Sequence, residues 1–146
     1  MSEPPPVDYE ALLRFRTALR HFLRWSERQA RSEGLTPAQH QLLLAVRGHP
    51  DPAGPTVGEV AGYLVLRHHS TVGLIDRAQE AGLVERVPDE SDHRVVRVRL
   101  TADADARIRR LSELHLEELR RLGPLPAQPF GAPAPLPPPG SPGLPG

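Results

Sequence analysis

The 146-residue sequence contains no cysteine and no lysine, and only 4% of its residues are aromatic. Without cysteine it cannot form disulfides, thiolate nucleophiles or cysteine-based zinc sites. Its 18 acidic residues balance 18 basic ones, all arginine, so net charge favours neither nucleic acid nor a membrane as partner. No apolar run approaches the roughly 20 residues of a membrane-spanning helix. We therefore expect a soluble protein that makes no membrane contact.

Signals for secretion and for catalysis are also missing. The first ten residues, MSEPPPVDYE, lack the basic and then apolar order of a secretory signal, which predicts a cytoplasmic protein. The chain has no glycine-rich phosphate loop and no G-x-S-x-G elbow, so we expect no enzyme activity and no cofactor. His68 and His69 are the best candidates for a metal site, but neighbours on a helix point about 100° apart and cannot share one ion. The sequence predicts no metal site.

Proline marks the limits of the folded domain. The segment Gly123–Gly146 holds 10 prolines and 5 glycines, a composition that buries almost nothing and predicts a disordered tail. Residues 1–7, which include Pro4–Pro6, are predicted to form a disordered start. One globular domain is therefore expected over residues 8–122.

Apolar residues recur at a spacing of three and four along most of this domain, which predicts helices. Thr36 and Thr56 each stand three residues before a Gln or Glu, the capping-box spacing that begins a helix. Leu42–Val46 is apolar on every side, which predicts a central second helix, and Gly48 is expected as its C-terminal glycine. The predicted helices are Asp8–Ser32, Pro37–Gly48, Val57–Leu64, His68–Ala81 and Ala102–Leu122.

The third and fourth predicted helices are joined by a short turn near Val65–Arg67, the helix-turn-helix pattern. Apolar residues then alternate with polar ones over Leu83–Val87 and Arg94–Leu100, which predicts two strands joined by a polar connection. A hairpin directly after a helix-turn-helix is called a wing. The predicted fold class is mainly α with a small β-hairpin, a winged helix-turn-helix flanked by long N- and C-terminal helices.

Three stretches in this order resemble the MarR family of bacterial winged helix-turn-helix regulators. They are LTPAQ at residues 35–39, STVGLIDR at 70–77 running into GLV at 82–84, and DHR at 92–94 followed by VRLT at 98–101. The resemblance implies a homodimeric transcriptional regulator, a repressor of a palindromic operator that a small-molecule effector releases. It also implies dimerisation helices at 8–34 and 101–122 around a DNA-binding lobe at 35–100. Members usually carry a further C-terminal helix, whereas this chain turns to proline and glycine at Gly123.

Two groups of residues are candidates for DNA contact. The predicted start of the fourth helix offers free N–H groups and a positive dipole end, which favour phosphate, while its exposed side chains can reach base edges. In the family this helix enters the major groove, and the arginine of a D-x-R motif in the wing enters the minor groove. The first group is Arg67, His68, His69, Ser70, Thr71, Gly73 and Arg77, and the second is Asp92, His93, Arg94 and Arg97.

Two questions stay open at the level of sequence. A winged helix can also act as a protein-docking module, but six arginines against one glutamate in Ala11–Arg31, with more arginines in the wing, favour DNA. For an effector pocket the candidates are His21, Trp25 and His40, together with His115. Each of these also fits a simple packing role.

Overall fold

The computed structural model describes residues 2–122, and the predicted tail, 123–146, lies outside them. Five helices and one antiparallel hairpin follow one another in the expected order, so the predicted mainly helical winged fold is confirmed. No helix in this described range is long and apolar enough to cross a membrane. The elements are α1 Pro6–Ser32, α2 Pro37–Gly48, α3 Val57–Leu64, α4 His68–Glu80, β1 Val84–Pro88, β2 Val96–Leu100 and α5 Ala102–Leu122.

Both predicted capping boxes are formed. The hydroxyl oxygen of Thr36 accepts from the backbone N–H of Gln39 at 3.1 Å, and the Gln39 side chain accepts in return from the Thr36 N–H at 3.0 Å. Thr56 and Glu59 make the same reciprocal pair at 3.2 and 3.1 Å. Each box satisfies two N–H groups that a helix start leaves free, which is why α2 and α3 begin where they do.

The first helix begins earlier than predicted. We expected residues 1–7 to be disordered, but Pro6 and Val7 already belong to α1. Pro6 occupies the first helical position, where proline costs nothing because its missing N–H would have no partner there. The interpretation of the prolines as a barrier to the helix was therefore wrong by two residues.

Two expectations for α2 also need correction. Gly48 is its last helical residue, and the chain leaves through His49 in an extended conformation rather than through a left-handed glycine. The helix is not buried on every side, because Leu44 is 46% exposed although Leu42 and Leu43 are fully buried. A helix that packs against neighbours on several sides still has a solvent-facing stripe.

The core lies around α2, which packs against every other helix and against β2. Its buried apolar side chains come from both ends of the domain, with α5 returning to cover the lobe. The largest fully buried side chains are Leu42, Leu43, Val60, Ile75, Leu83, Val84, Val98, Ile108 and Leu111. One continuous core therefore holds the helix-turn-helix, the hairpin and α5 together.

The hairpin is shorter and displaced relative to the prediction. Its strands pair antiparallel from Val84 opposite Leu100 to Pro88 opposite Val96. Arg94, which we expected to begin the second strand, lies in the turn. On its other edge β2 meets the loop before α3, where the Val98 N–H donates to the Pro55 carbonyl at 2.8 Å. β2 is thus paired along both edges, with β1 of the wing on one side and with the loop before α3 on the other.

Candidate nucleic-acid interface

The first turn of α4 projects from the lobe as an exposed polar surface. Arg67 is the N-cap residue in an extended conformation, and its side chain makes no capping hydrogen bond. His68, His69 and Ser70 follow, and all four residues are exposed. The structure therefore places these predicted contact residues together at one end of one helix, as the sequence indicated.

Burial of the opposite face of α4 determines this orientation. Leu74, Ile75 and Ala78 are buried in the core together with Thr71, at the three- and four-residue spacing of one helix face. Thr71 was also a candidate for DNA contact, and here the structure corrects the prediction. Its side chain is fully buried, and its hydroxyl donates to the Arg67 carbonyl at 2.9 Å. Thr71 holds the first turn in place and has no surface for a ligand.

Arg67 and Arg77 on the exposed face of α4 have no ionic partner among the described residues, although Asp76 is also exposed on this helix. No acidic residue occurs between 65 and 75, and within residues 2–122 neither Arg67 nor Arg77 forms a salt bridge. Gly73 lies on this face, where an added Cβ would meet only the Nη1 of Arg77, at 3.3 Å. Internal packing therefore does not demand glycine here, and close approach of an external molecule remains its predicted role.

The wing turn pairs Arg94 with Asp92 through two side-chain hydrogen bonds. Its Nε and Nη2 donate to the two carboxylate oxygens of Asp92 at 3.0 and 3.1 Å, and its backbone N–H donates to the same group. These bonds lower the pKa of Asp92 and raise that of Arg94. The Arg94 side chain is nevertheless 91% exposed, and His93 beside it is exposed as well. Both stand at the tip of the hairpin.

Arg97 does not share this exposed position. Its Nε donates to Asp89 at 2.6 Å and its Nη1 donates to the Gly54 carbonyl at 2.8 Å. Hydrogen bonding from Arg97 lowers the pKa of Asp89, whose carboxylate also accepts the N–H groups of Ser91 and Asp92. These donors hold the wing turn and the α2–α3 loop together, and contact between Arg97 and DNA stays a prediction.

A second connection, which the sequence did not reveal, ties the wing to α4. Arg86 on β1 donates to Asp76 at 2.6 Å and to Gln79 at 2.7 Å. The Asp76 side chain is 54% exposed at this contact. Residues seven and ten positions apart on different elements carry no sequence pattern that pairs them, so only the folded chain shows that wing and helix form one unit.

The residues proposed for an effector pocket do not all meet. Trp25 and His40 both pack against the His115 ring, with ring centroids 4.8 and 4.9 Å from it. Phe22 completes this aromatic cluster between α1, α2 and α5. His21 is exposed on α1 and takes no part, because it lies one position away from the inward-facing Phe22.

Hydrogen bonds fix the rings of the aromatic cluster. The Nδ1 of His115 lies 2.7 Å from the Leu111 carbonyl, which can only accept, so Nδ1 carries the proton. In the neutral ring Nε2 then accepts from the Ser26 hydroxyl at 2.7 Å. Burial, and after it the neighbouring His115, lowers the pKa of His40 to about 4. His40 is therefore neutral near pH 7.

Comparison with known proteins supports one family. A family model described as MarR family matches residues 33–95, which span α2 to the wing turn. A solved MarR family protein from Bacillus stearothermophilus is 30% identical to this chain. The matched region covers 84% of this chain and 81% of that protein, and the two superpose with a TM-score of 0.67. The chain belongs to the MarR family.

Two further MarR-type relatives differ in how much they share. The uncharacterized HTH-type transcriptional regulator YsmB of Bacillus subtilis is 42% identical over 65 residues, a segment that spans 44% of either protein. MepR of Staphylococcus aureus, solved in complex with DNA, is 17% identical to this chain. The matched region covers 74% of this chain and 76% of the MepR chain, with a TM-score of 0.64. At that identity the MepR likeness shows the fold alone. YsmB and a second matched relative are both named HTH-type transcriptional regulators.

Proposed function

We propose that this MarR-family protein is a DNA-binding transcriptional regulator, a repressor that acts in the cytoplasm as a homodimer on a palindromic operator. The observation that carries the proposal is the start of α4, where Arg67, His68, His69 and Ser70 are exposed beside free helix N–H groups and no acid. Such a surface suits phosphate and base edges at once. A relative of the same fold, MepR, is known in complex with DNA.

Each part of the interface would have its own groove. The first turn of α4 would enter the major groove, with His69 and Ser70 toward base edges and Arg67 toward phosphate. Arg94 at the wing tip would enter the neighbouring minor groove, where negative potential is strongest when the groove is narrow. Its ion pair with Asp92 keeps the side chain extended, so less rotamer entropy remains to be lost on binding.

The apolar faces of α1 and α5 support a homodimer. A helix of 27 residues is about 40 Å long, more than one lobe of this size can cover. Exposed apolar side chains continue along it and along α5, in a pattern that a second copy would bury. They are Val7, Tyr9, Leu12, Leu13, Leu19 and Leu23 on α1, and Leu114, Leu116 and Leu122 on α5. We propose 8–34 and 101–122 as the dimerisation segments.

Release by a small molecule is the finer part of the proposal. The aromatic cluster of Phe22, Trp25, His40 and His115 joins both dimerisation helices to α2 of the lobe. A molecule that entered between these rings would change the angle between lobe and dimer. A panel of aromatic acids and amines, tested by thermal shift and by loss of DNA binding, would identify such an effector. A Trp25→Ala variant with an unchanged response would remove the cluster from this role.

Selection of binding sites from random duplexes tests DNA binding directly. We expect a palindromic site whose halves lie about one helical turn apart. His69→Ala and Ser70→Ala should each change the preferred base at one or two positions, at about 1 to 3 kcal/mol per lost base contact. His21→Ala, an exposed histidine on α1, is the matched control and should leave the site unchanged.

The alternative is a winged helix that docks a protein. It would be favoured if the selection returned no enriched sequence at low salt. If His69→Ala weakened binding equally on the selected site and on random DNA, DNA binding would stand, but His69 would be a backbone contact. Sedimentation as a monomer at micromolar concentration would contradict the two-lobe arrangement.

A further inference from the structure

The turn before α4 holds a valine in an unusual state. Val65 ends α3 with φ 54° and ψ 46°, the left-handed conformation, and it is the only non-glycine residue with positive φ among residues 2–122. Its N–H and that of Leu66 both bond to the Ala61 carbonyl, which fixes the turn. A β-branched side chain is a poor choice for this conformation, and glycine or asparagine would hold the same turn with less strain.

The Val65 side chain gains nothing from the core in exchange for this strain. It is 90% exposed, the largest exposed fraction among the large apolar residues of the described chain, and Leu66 beside it is 41% exposed. Strain and apolar exposure at one residue both cost free energy in the isolated protein. A binding partner that covers the side chain would offset that cost.

The position of Val65 indicates which partner this is. It stands three residues before His68, the first residue of α4, so its Cα lies within about 11 Å of that helix start along the chain. The major groove is about 12 Å wide. A helix start placed in the groove would therefore bring Val65 to the edge of the same groove. The only apolar group on the floor of that groove is the C5-methyl group of thymine.

We propose that Val65, supported by Leu66, is a specificity-determining residue that packs against the methyl group of a thymine at the edge of each half-site. The inference rests on the proposed DNA binding and adds to it a chemical identity for one operator position. Arg67, between this apolar pair and α4, has no salt-bridge partner in the described chain and would anchor the adjacent phosphate. Val65 would thus recognise the thymine by apolar contact with its methyl group rather than by hydrogen bonds.

Removal of single methyl groups from the operator tests this inference. In the selected site each thymine is replaced in turn by deoxyuridine, which lacks only the C5-methyl group. Burial of one methyl group corresponds to about fourfold in affinity, so replacement of the symmetric pair should weaken wild-type binding about 16-fold. At thymines that lie away from α4, the replacement by deoxyuridine should leave the affinity unchanged.

The same scan on turn variants assigns the effect to Val65. Val65→Gly and Val65→Asn both keep a left-handed turn, so they should fold, and Val65→Gly should melt a few degrees higher. Both should bind the thymine site more weakly than wild type and should not distinguish thymine from deoxyuridine at the sensitive pair. Leu44→Ala, which shortens an exposed apolar side chain on α2, is the control and should keep the wild-type pattern.

Two results would overturn the inference while DNA binding itself stands. One is a wild-type protein that tolerates deoxyuridine at every position. The other is a sensitive pair that persists in both Val65 variants, because the methyl group would then contact another residue. If the random-duplex selection recovers no site at all, the proposed function and this inference fall together.

Discussion

The two halves of the candidate interface, the start of α4 and the wing, are built by different forces. The α4 start is positioned from behind, by apolar side chains and Thr71 buried in the core, and its exposed side chains are left without partners. The wing also contributes Val84 and Val98 to the core, but it adds ion pairs that the α4 start lacks: Asp89 with Arg97, Asp76 of α4 with Arg86, and the Asp92–Arg94 pair. Added salt, or the replacement of a charged residue, should therefore destabilise the wing more than it destabilises α4.

This difference bears on what each half can do. Side chains that are free of internal partners can form hydrogen bonds with bases at no cost in lost contacts, which suits the readout of sequence. Side chains held by carboxylates are already ordered, which suits a wing that positions one arginine. Arg94 combines both properties, because it is held by Asp92 and yet exposed.

Gly54 is the position where we expect the largest effect on the wing. Its φ is 92°, and an added Cβ would lie 2.2 Å from the Val98 carbonyl oxygen. Gly54→Ala should lower the free energy of unfolding by on the order of 4 kcal/mol, because the loop must separate from β2. Chemical denaturation measures this. Gly62→Ala, in α3 with open space around its Cα, is the control and should stabilise the protein by up to about 1 kcal/mol. Equal effects would contradict the wing contact.

The second prediction concerns pH and lies outside the wing. His40 has a pKa of about 4 when folded and an ordinary 6.5 when unfolded, so the unfolded chain binds more protons between these values. Stability should be fully present above pH 6.5 and should fall by about 3 kcal/mol as the pH drops to 4. His40→Gln should flatten this slope in denaturation series, whereas His21→Gln on the exposed face of α1 should retain it. An unchanged slope in His40→Gln would show that other groups dominate.

Arg97→Ala sharpens the comparison of wing and helix. Loss of the bonds to Asp89 and the Gly54 carbonyl should lower the melting midpoint by about 5 °C and increase hydrogen exchange in the hairpin, while the α4 amides stay protected. Arg99→Ala removes a neighbouring, exposed arginine with one bond to the Ala53 carbonyl and should have less effect. Loss of protection that spreads equally into α4 would contradict the separation of the two halves.

The smallest expected effect on stability belongs to Arg94→Ala. An ion pair this exposed contributes little, so the melting midpoint should change by no more than about 1 °C. DNA affinity should nevertheless fall on operator and random sequences together, and the slope of log K against log salt should flatten by about 2, one charge per subunit. Titrations at several salt concentrations measure this slope. A slope equal to wild type would remove Arg94 from the interface.

Local patterns predicted most of the helical framework. The capping boxes at Thr36 and Thr56, and the spacing that buries Leu74, Ile75 and Ala78, depend on residues only a few positions apart, and all of them are present. The Asp92–Arg94 pair is equally local. Errors arose where a residue can satisfy two patterns: Pro6 as a barrier or as a first helical residue, and Thr71 as a polar contact or as an inward side chain.

The remainder depends on contacts between distant parts of the chain. Arg97 and Gly54 are 43 positions apart, and Ser26 and His115 are 89 apart, so no periodicity relates them. Nothing in the local sequence distinguishes the partly buried side chain of Arg97 from the exposed side chain of Arg94. Helix starts and buried faces are decided by neighbours in sequence. Which arginine becomes partly buried and which stays exposed is decided only when the loop before α3 meets β2.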